Sequence, residues 1–264
     1  MLPNPDIDPV LFRLGPIAIR WYGLMYVFGL TAAFFMIKAR AAKHQVALSL
    51  DNLHDLILYA AVGVILGGRL GYILFYNLPY YIESPVKLLA VWEGGMSFHG
   101  GLLGVIVAVG VFCRRKGQTF YAIADLAAPA VPIGLGLGRL GNFINGELYG
   151  RATDVPWCMV FSRTGGGPLC RHPSQLYEAF LEGVLLFAVV WAVSRRPHAP
   201  GTVFWAFIAG YGACRAFVEL FREPDAHLGL LAGMISMGQV LSLPMLALGL
   251  CMIWLVQRKQ SRQS

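Results

Sequence analysis

Apolar and polar positions fall in long alternating blocks along this chain, not in the short periods of a water-soluble domain. Seven apolar runs stand out, at residues 19–37, 52–75, 98–112, 120–140, 174–193, 202–221 and 237–256. Each is near the roughly 20 residues that a helix needs to cross a bilayer core, allowing for tilt. The pattern predicts an all-α polytopic membrane protein with about seven transmembrane helices. Residues 1–18, rich in Pro and Asp, are expected on the membrane surface. Residues 77–97 are too broken by proline and charge to span, yet too apolar and aromatic for a solvated loop, so they read as an interfacial arm. Residues 142–172, with two prolines and the Gly165-Gly166-Gly167 turn, suit a small head outside the bilayer.

The basic residues set the topology. Of the 21 Lys and Arg, eleven sit at the ends of runs one, three, five and seven: Lys38, Arg40, Lys43, Arg114, Arg115, Lys116, Arg195, Arg196, Arg258, Lys259 and Arg262. Short loops rich in Lys and Arg stay on the cytoplasmic side. The N-terminus is therefore expected outside and the C-terminus in the cytoplasm, which puts arm and head on the outer side.

Composition agrees with a single integral membrane domain over 1–264. The chain is 57% hydrophobic and 13% charged, where soluble domains carry roughly 25% charged residues. Mean hydropathy is +0.61. The net charge of +7 does not imply a nucleic-acid partner, because the basic residues cluster between apolar runs. Five cysteines show neither metal-ligand spacing nor a C-x-x-C pair, so no metal is expected. No cleavable leader is expected either, since Pro3, Pro5, Asp6, Asp8 and Pro9 precede the first run. Without an internal repeat, the inverted-repeat plan of many transporters has no support.

Candidate chemistry gathers in residues 134–150, GLGLGRLGNFINGELYG. Arg139 and Asn142 share a helix face, and Asn145 and Glu147 follow within a few residues. An Arg, two amides and a carboxylate at the end of an apolar segment form a recess able to hold a phosphate, since a guanidinium binds two phosphate oxygens at once. The same residues also suit a helix end with a snorkelling Arg and capping Asn side chains. Charges within spans need a partner or a purpose, and Arg69, Arg139, Arg215 and Glu219 are such charges. Arg215 and Glu219 stand at i, i+4 with Tyr211 one turn earlier. They form either a self-neutralising pair, or a site in which Arg215 and Arg139 converge on one anionic group with Glu219 orienting a guanidinium.

His99 lies among Gly94, Gly95, Gly100 and Gly101. It reads as a hydrogen-bonded structural histidine or as a general base working near neutral pH. Tyr22 and Tyr26 read first as interface anchors, as do Trp92, Trp157 and Trp205. Most of the segment from His172 to Glu178 reads as structural, with Ser174 as the cap of the fifth helix.

Over essentially its whole length the chain resembles the bacterial phosphatidylglycerol–prolipoprotein diacylglyceryl transferases. The resemblance rests on Gly138-Arg139-Leu140-Gly141-Asn142-Phe143-Ile144-Asn145-Gly146-Glu147 running to Gly150. Around it stand Trp21-Tyr22-Gly23-Leu24, Gly94 to Gly101, His172 to Glu178, Tyr211 to Arg215 and Ile235 to Gln239. The head, 151–171, is shorter than in enterobacterial members. The resemblance implies transfer of diacylglyceryl from phosphatidylglycerol to the lipobox cysteine of a prolipoprotein, with glycerol 1-phosphate leaving. It also implies a bacterial inner-membrane location with a periplasmic head, and no cofactor. His99 is then the candidate base, with Arg139 and Arg215 stabilising the departing phosphate. Tyr22, Asn142, Asn145, Glu147, Gly150, Tyr211 and Glu219 complete the expected lipid site. A transporter for an anionic solute, or a non-catalytic lipid-binding protein, are the other classes compatible with buried arginines. On the oxidising outer side, Cys158 and Cys170 flank a glycine turn and are a candidate disulfide.

Overall fold

Serines start three of the long helices. Ser49 Oγ accepts from Asn52 N and Ser97 Oγ from Gly100 N, each at 3.2 Å, while Ser236 and Gln239 form a reciprocal capping box. Such caps satisfy amide groups that a helix start leaves unpaired. In the computed structural model the order is β1 (Val10–Leu14), β2 (Ile17–Arg20), α1 (Trp21–Lys43), α2 (Leu50–Tyr76), α3 (Leu78–Glu83), a 3₁₀ turn (Pro85–Leu89), α4 (Phe98–Lys116) and α5 (Phe120–Ala127). There follow α6 (Val131–Asn145), β3 (Met159–Val160), β4 (Cys170–Arg171), α7 (Ser174–Glu178), a π segment (Ala179–Leu185), α8 (Leu186–Ser194), α9 (Thr202–Val218), β5 (Leu230–Leu231), β6 (Ile235–Ser236) and α10 (Met237–Ser261). The structure describes all residues except 1, 3, 4, 6, 16, 91–94, 162–163, 224–229, 232–234 and 263–264. Pro3, Asp6, Trp92 and Gly94, singled out above, therefore lie outside the described residues.

Among the described residues, six helices are long and apolar enough to cross a membrane: Trp21–Lys43, Leu50–Phe75, Phe98–Lys116, Phe120–Asn145, Ser174–Ser194 and Met237–Ser261. The seventh expected span is shorter, an apolar helix over Thr202–Val218. Its expected end at 221 is corrected because Gly150 bridges to Arg222 and draws the chain into extended pairing. The architecture is that of a polytopic, mostly helical membrane protein. Its described residues also form three two-stranded antiparallel sheets, β1–β2, β3–β4 and β5–β6, for which the hydropathy blocks offered no signal.

The chain divides into two compact units, residues 37–126 and residues 1–36 with 127–264. In the first, α2 and α4 pack antiparallel with their backbones touching. A Cβ at Gly63 would come within 2.7 Å of Gly104 O, and Cβ atoms at Gly67 and Gly104 would overlap the facing backbone. Small residues permit this approach where no hydrophobic effect draws helices together. Arg69, buried in α2, is met by backbone carbonyls: it donates to Leu88 O and Ala90 O at 3.1 Å and to Gly95 O at 3.3 Å, under the Tyr81 ring.

In the other unit, α6 packs on the helix through Ser174–Ser194, and α9 lies between α8 and α10. β3 and β4 pair in the expected head, where Cys158 and Cys170 are disulfide-bonded with Cα atoms 5.4 Å apart.

Candidate functional site

Glycines decide where the charged side chains meet. α6 crosses the π segment at Gly136 and Gly183, so closely that a Cβ on Gly183 would come within 2.8 Å of Gly136 Cα. One turn beyond Gly136, Arg139 projects toward the π segment. A π turn is rare and recurs at functional sites. Here it joins α7 so that Glu178 and Glu182, four residues apart and both fully buried, face the same neighbours.

Three guanidinium groups and three carboxylates interlock there. Arg139 Nε stands 2.9 Å from Glu178 Oε2 and directs its N–H to Glu182 Oε2 at 3.3 Å. Arg215 Nη1 donates to Glu178 Oε1 at 3.0 Å, and its Nη2 is paired with Glu219 Oε1. Arg222 Nη1 reaches the same Glu178 oxygen at 2.9 Å, with its Nε 3.2 Å from Glu219 Oε1. Ser236 Oγ donates to the remaining Glu219 oxygen at 2.7 Å, and Gly238 leaves room for that carboxylate. Buried charges persist only when paired and hydrogen-bonded. The three-to-three balance supplies that pairing.

Arg139 differs from the other two arginines. Both its carboxylate contacts use Nε, and neither terminal Nη nitrogen has a partner among the described residues. Its side chain is 14% exposed. A guanidinium held by its stem side with its fork open is suited to two oxygens of a phosphate.

The rest of the central stretch forms a second cluster. Asn142 Nδ2 and Asn145 Nδ2 donate to Glu147 Oε1 at 2.9 and 3.0 Å. Tyr22 lays its ring against Gly141 and its hydroxyl 3.2 Å from that of Tyr26. Gly150 N donates to His172 O at 2.9 Å, and a side chain at Gly150 would overlap His172 and Phe221 O. Tyr211 is buried in α9, one turn before Arg215. His99 belongs to the other unit, as the second residue of α4.

One expectation for the segment from His172 to Glu178 needs correction. Ser174 does not cap α7, whose N-cap position is Pro173; its hydroxyl donates to Leu148 O at 3.0 Å. Glu178, at the end of the segment, receives all three arginines. Glu178, Glu182 and Arg222 were missed, although two carboxylates at i, i+4 in an apolar run carry the same signal that singled out Arg215 and Glu219. At the rim, Trp157 Nε1 donates to the Tyr177 hydroxyl at 2.7 Å, which stands 3.1 Å from His172 Nδ1. The indole can only donate, so the hydroxyl is free to donate onward and favours the His172 tautomer protonated at Nε2. Burial pushes the His172 pKa below its usual value, in keeping with a neutral ring.

The sequence profile described as Prolipoprotein diacylglyceryl transferase matches residues 9–255. A Geobacter sulfurreducens protein named phosphatidylglycerol–prolipoprotein diacylglyceryl transferase is 62% identical over 256 residues, covering 97% of this chain and 98% of its own. A protein of that name from Vibrio vulnificus is 55% identical over 97% of this chain and 94% of its own. One from Bordetella avium is 54% identical over the full length of both.

Proposed function

The chain belongs to the prolipoprotein diacylglyceryl transferase family, and from that premise we propose how its charged cluster serves transfer of a diacylglyceryl group from phosphatidylglycerol to a prolipoprotein. The phosphate of the lipid sits on the open fork of Arg139, with Arg215 behind it. Asn142, Asn145 and Glu147 face the polar head group, with Tyr22, Gly150 and Tyr211 shaping the recess and Glu219 fixing Arg215. The acceptor is the lipobox cysteine thiol of the incoming prolipoprotein.

A free thiol has a pKa of about 8.5, so little of it is thiolate at neutral pH. His99 takes the thiol proton. The sulfur attacks the glycerol carbon that carries the phosphate, a C–S bond forms, and the C–O bond breaks with its electron pair leaving on oxygen. Glycerol 1-phosphate departs with one more negative charge than the diester phosphate had. Arg139, already oriented by Glu178 and Glu182, meets that charge without rearranging, which is how fixed dipoles and charges lower a barrier. No nucleic acid takes part. The enzyme works in a bacterial inner membrane, with its N-terminus periplasmic and its C-terminus cytoplasmic.

The observation that supports this reading best is the unengaged fork of Arg139 beside three buried carboxylates. It is tested with purified protein, phosphatidylglycerol and a lipobox peptide, following glycerol phosphate release and the thioether product. Wild type forms both in equal amounts, and His99→Gln loses most turnover while phosphatidylglycerol binding holds. Turnover within about twofold of wild type in His99→Gln removes the base role.

A further inference from the structure

Leu148 is held in a backbone conformation that leucine avoids. Its φ is +57°, in the left-handed region, whereas the other left-handed residue of this turn, Gly146 at φ +70°, has no Cβ to clash. Gly146 ends α6 as its cap, and the chain then turns through Glu147 and Leu148 to Gly150. A strained residue persists only where its surroundings over-determine it.

The surroundings here are the first two residues of α7. Ser174 Oγ donates to Leu148 O at 3.0 Å, and Gln175 Nε2 donates to Glu147 O at 2.7 Å. Both side chains are fully buried, so neither can swing away to solvent. Two further backbone bonds, from Glu147 N to Asn142 O at 3.0 Å and from Gly150 N to His172 O at 2.9 Å, pin the turn at either side. Gln175 accepts a loss to do this. Glu147 O can only accept, so the amide must present its NH₂, and its Oε1 is left buried with no partner among the described residues. An unmet buried acceptor is costly, and the cost marks an orientation that the turn imposes.

What the turn carries is the Glu147 carboxylate, on which Asn142 and Asn145 both converge. We propose that Ser174 and Gln175 are positioning residues of the head-group site: by holding the carbonyls of Leu148 and Glu147 they keep the strained turn in place and thereby orient Glu147, Asn142 and Asn145 toward the lipid. This rests on the reading of that cluster as part of the phosphatidylglycerol site.

The test is a rescue. Gln175→Met keeps the length of the side chain and removes its N–H. In full-length protein with phosphatidylglycerol and a lipobox peptide, kcat/KM for the lipid falls about tenfold or more, while KM for the peptide is unchanged. Leu148→Gly alone stays within about twofold of wild type, since glycine adopts the left-handed turn without a clash. Adding Leu148→Gly to Gln175→Met restores at least about threefold of the loss, because the turn no longer needs the clamp. Amide exchange at Glu147 and Gly150, read apart from turnover, is faster in Gln175→Met and slowed again in the double variant. Should Gln175→Met not fold, Ser174→Ala removes only a hydroxyl and is read for the same rescue. A double variant no better than its parent in activity and exchange overturns the proposal, as does Gln175→Met within about twofold of wild type. Failure of the functional reading is separate: wild type then makes no thioether product, while the exchange pattern still reports on the clamp.

Discussion

Arg139 and Lys would carry the same charge, but the contacts of Arg139 divide along the side chain in a way Lys cannot copy. Nε is bound by Glu178 and Glu182, and the terminal nitrogens have no partner among the described residues. A lysine ammonium is a single point that either joins the carboxylates or meets the phosphate. Arg139→Lys is therefore expected to fold and to lose about 100-fold or more in transfer rate. Initial rates of glycerol phosphate release measure this, and a rate within about twofold of wild type rules out the clamp. The residues from Arg139 to Gly150 were readable because they are close in sequence, and helix periodicity brings such neighbours together. Glu178 and Glu182 could be flagged by their spacing alone, but their meeting with Arg139 was not readable, because it depends on a helix crossing at Gly136 and Gly183 that no local spacing encodes.

The long helices follow the apolar runs, since backbone groups in hydrocarbon must be satisfied within the segment. The ends differ, because the hydropathy pattern does not see caps. Helix α6 continues past 140 to Asn145, where Gly146 takes the left-handed cap. The hairpins were not readable either: β3 and β4 are two residues each, too short to show an alternation. What ties that hairpin is the Cys158–Cys170 bond, and Arg171 beside it donates to Gly150 O at 3.2 Å. Closing a loop of this size contributes about 3 kcal/mol in the chain-entropy model. Replacing both cysteines by serine is expected to cost about that much, to raise proteolysis within 151–171, and to leave the six long helices intact. Limited proteolysis with helical circular dichroism checks it; an unchanged cleavage pattern means the bond contributes nothing to the head.

Distribution of charge along the chain makes a prediction about the protein in its membrane. Eleven basic residues at the ends of alternate runs lead to the expectation of a cytoplasmic C-terminus. A C-terminal green fluorescent protein fusion is expected to fluoresce, and a C-terminal alkaline phosphatase fusion to be inactive, as each folds on one side only. The reverse pattern inverts the topology. Membrane character, the number of apolar helices and the central stretch were legible in the sequence, because they depend on composition and on spacing within a few turns. Burying backbone in lipid leaves helices as the only open solution, so hydropathy is enough to place them. Apart from Glu219 with Arg215 and Arg222, which are neighbours in sequence, the partners of the buried charges were decided only in three dimensions. Which carboxylate meets which arginine depends on where glycines let helices touch, on the π turn that carries Glu178 and Glu182, and on the clamp that bends the chain at Leu148. Those are contacts between residues more than 20 positions apart, and the balance of desolvation against pairing is struck only when they meet.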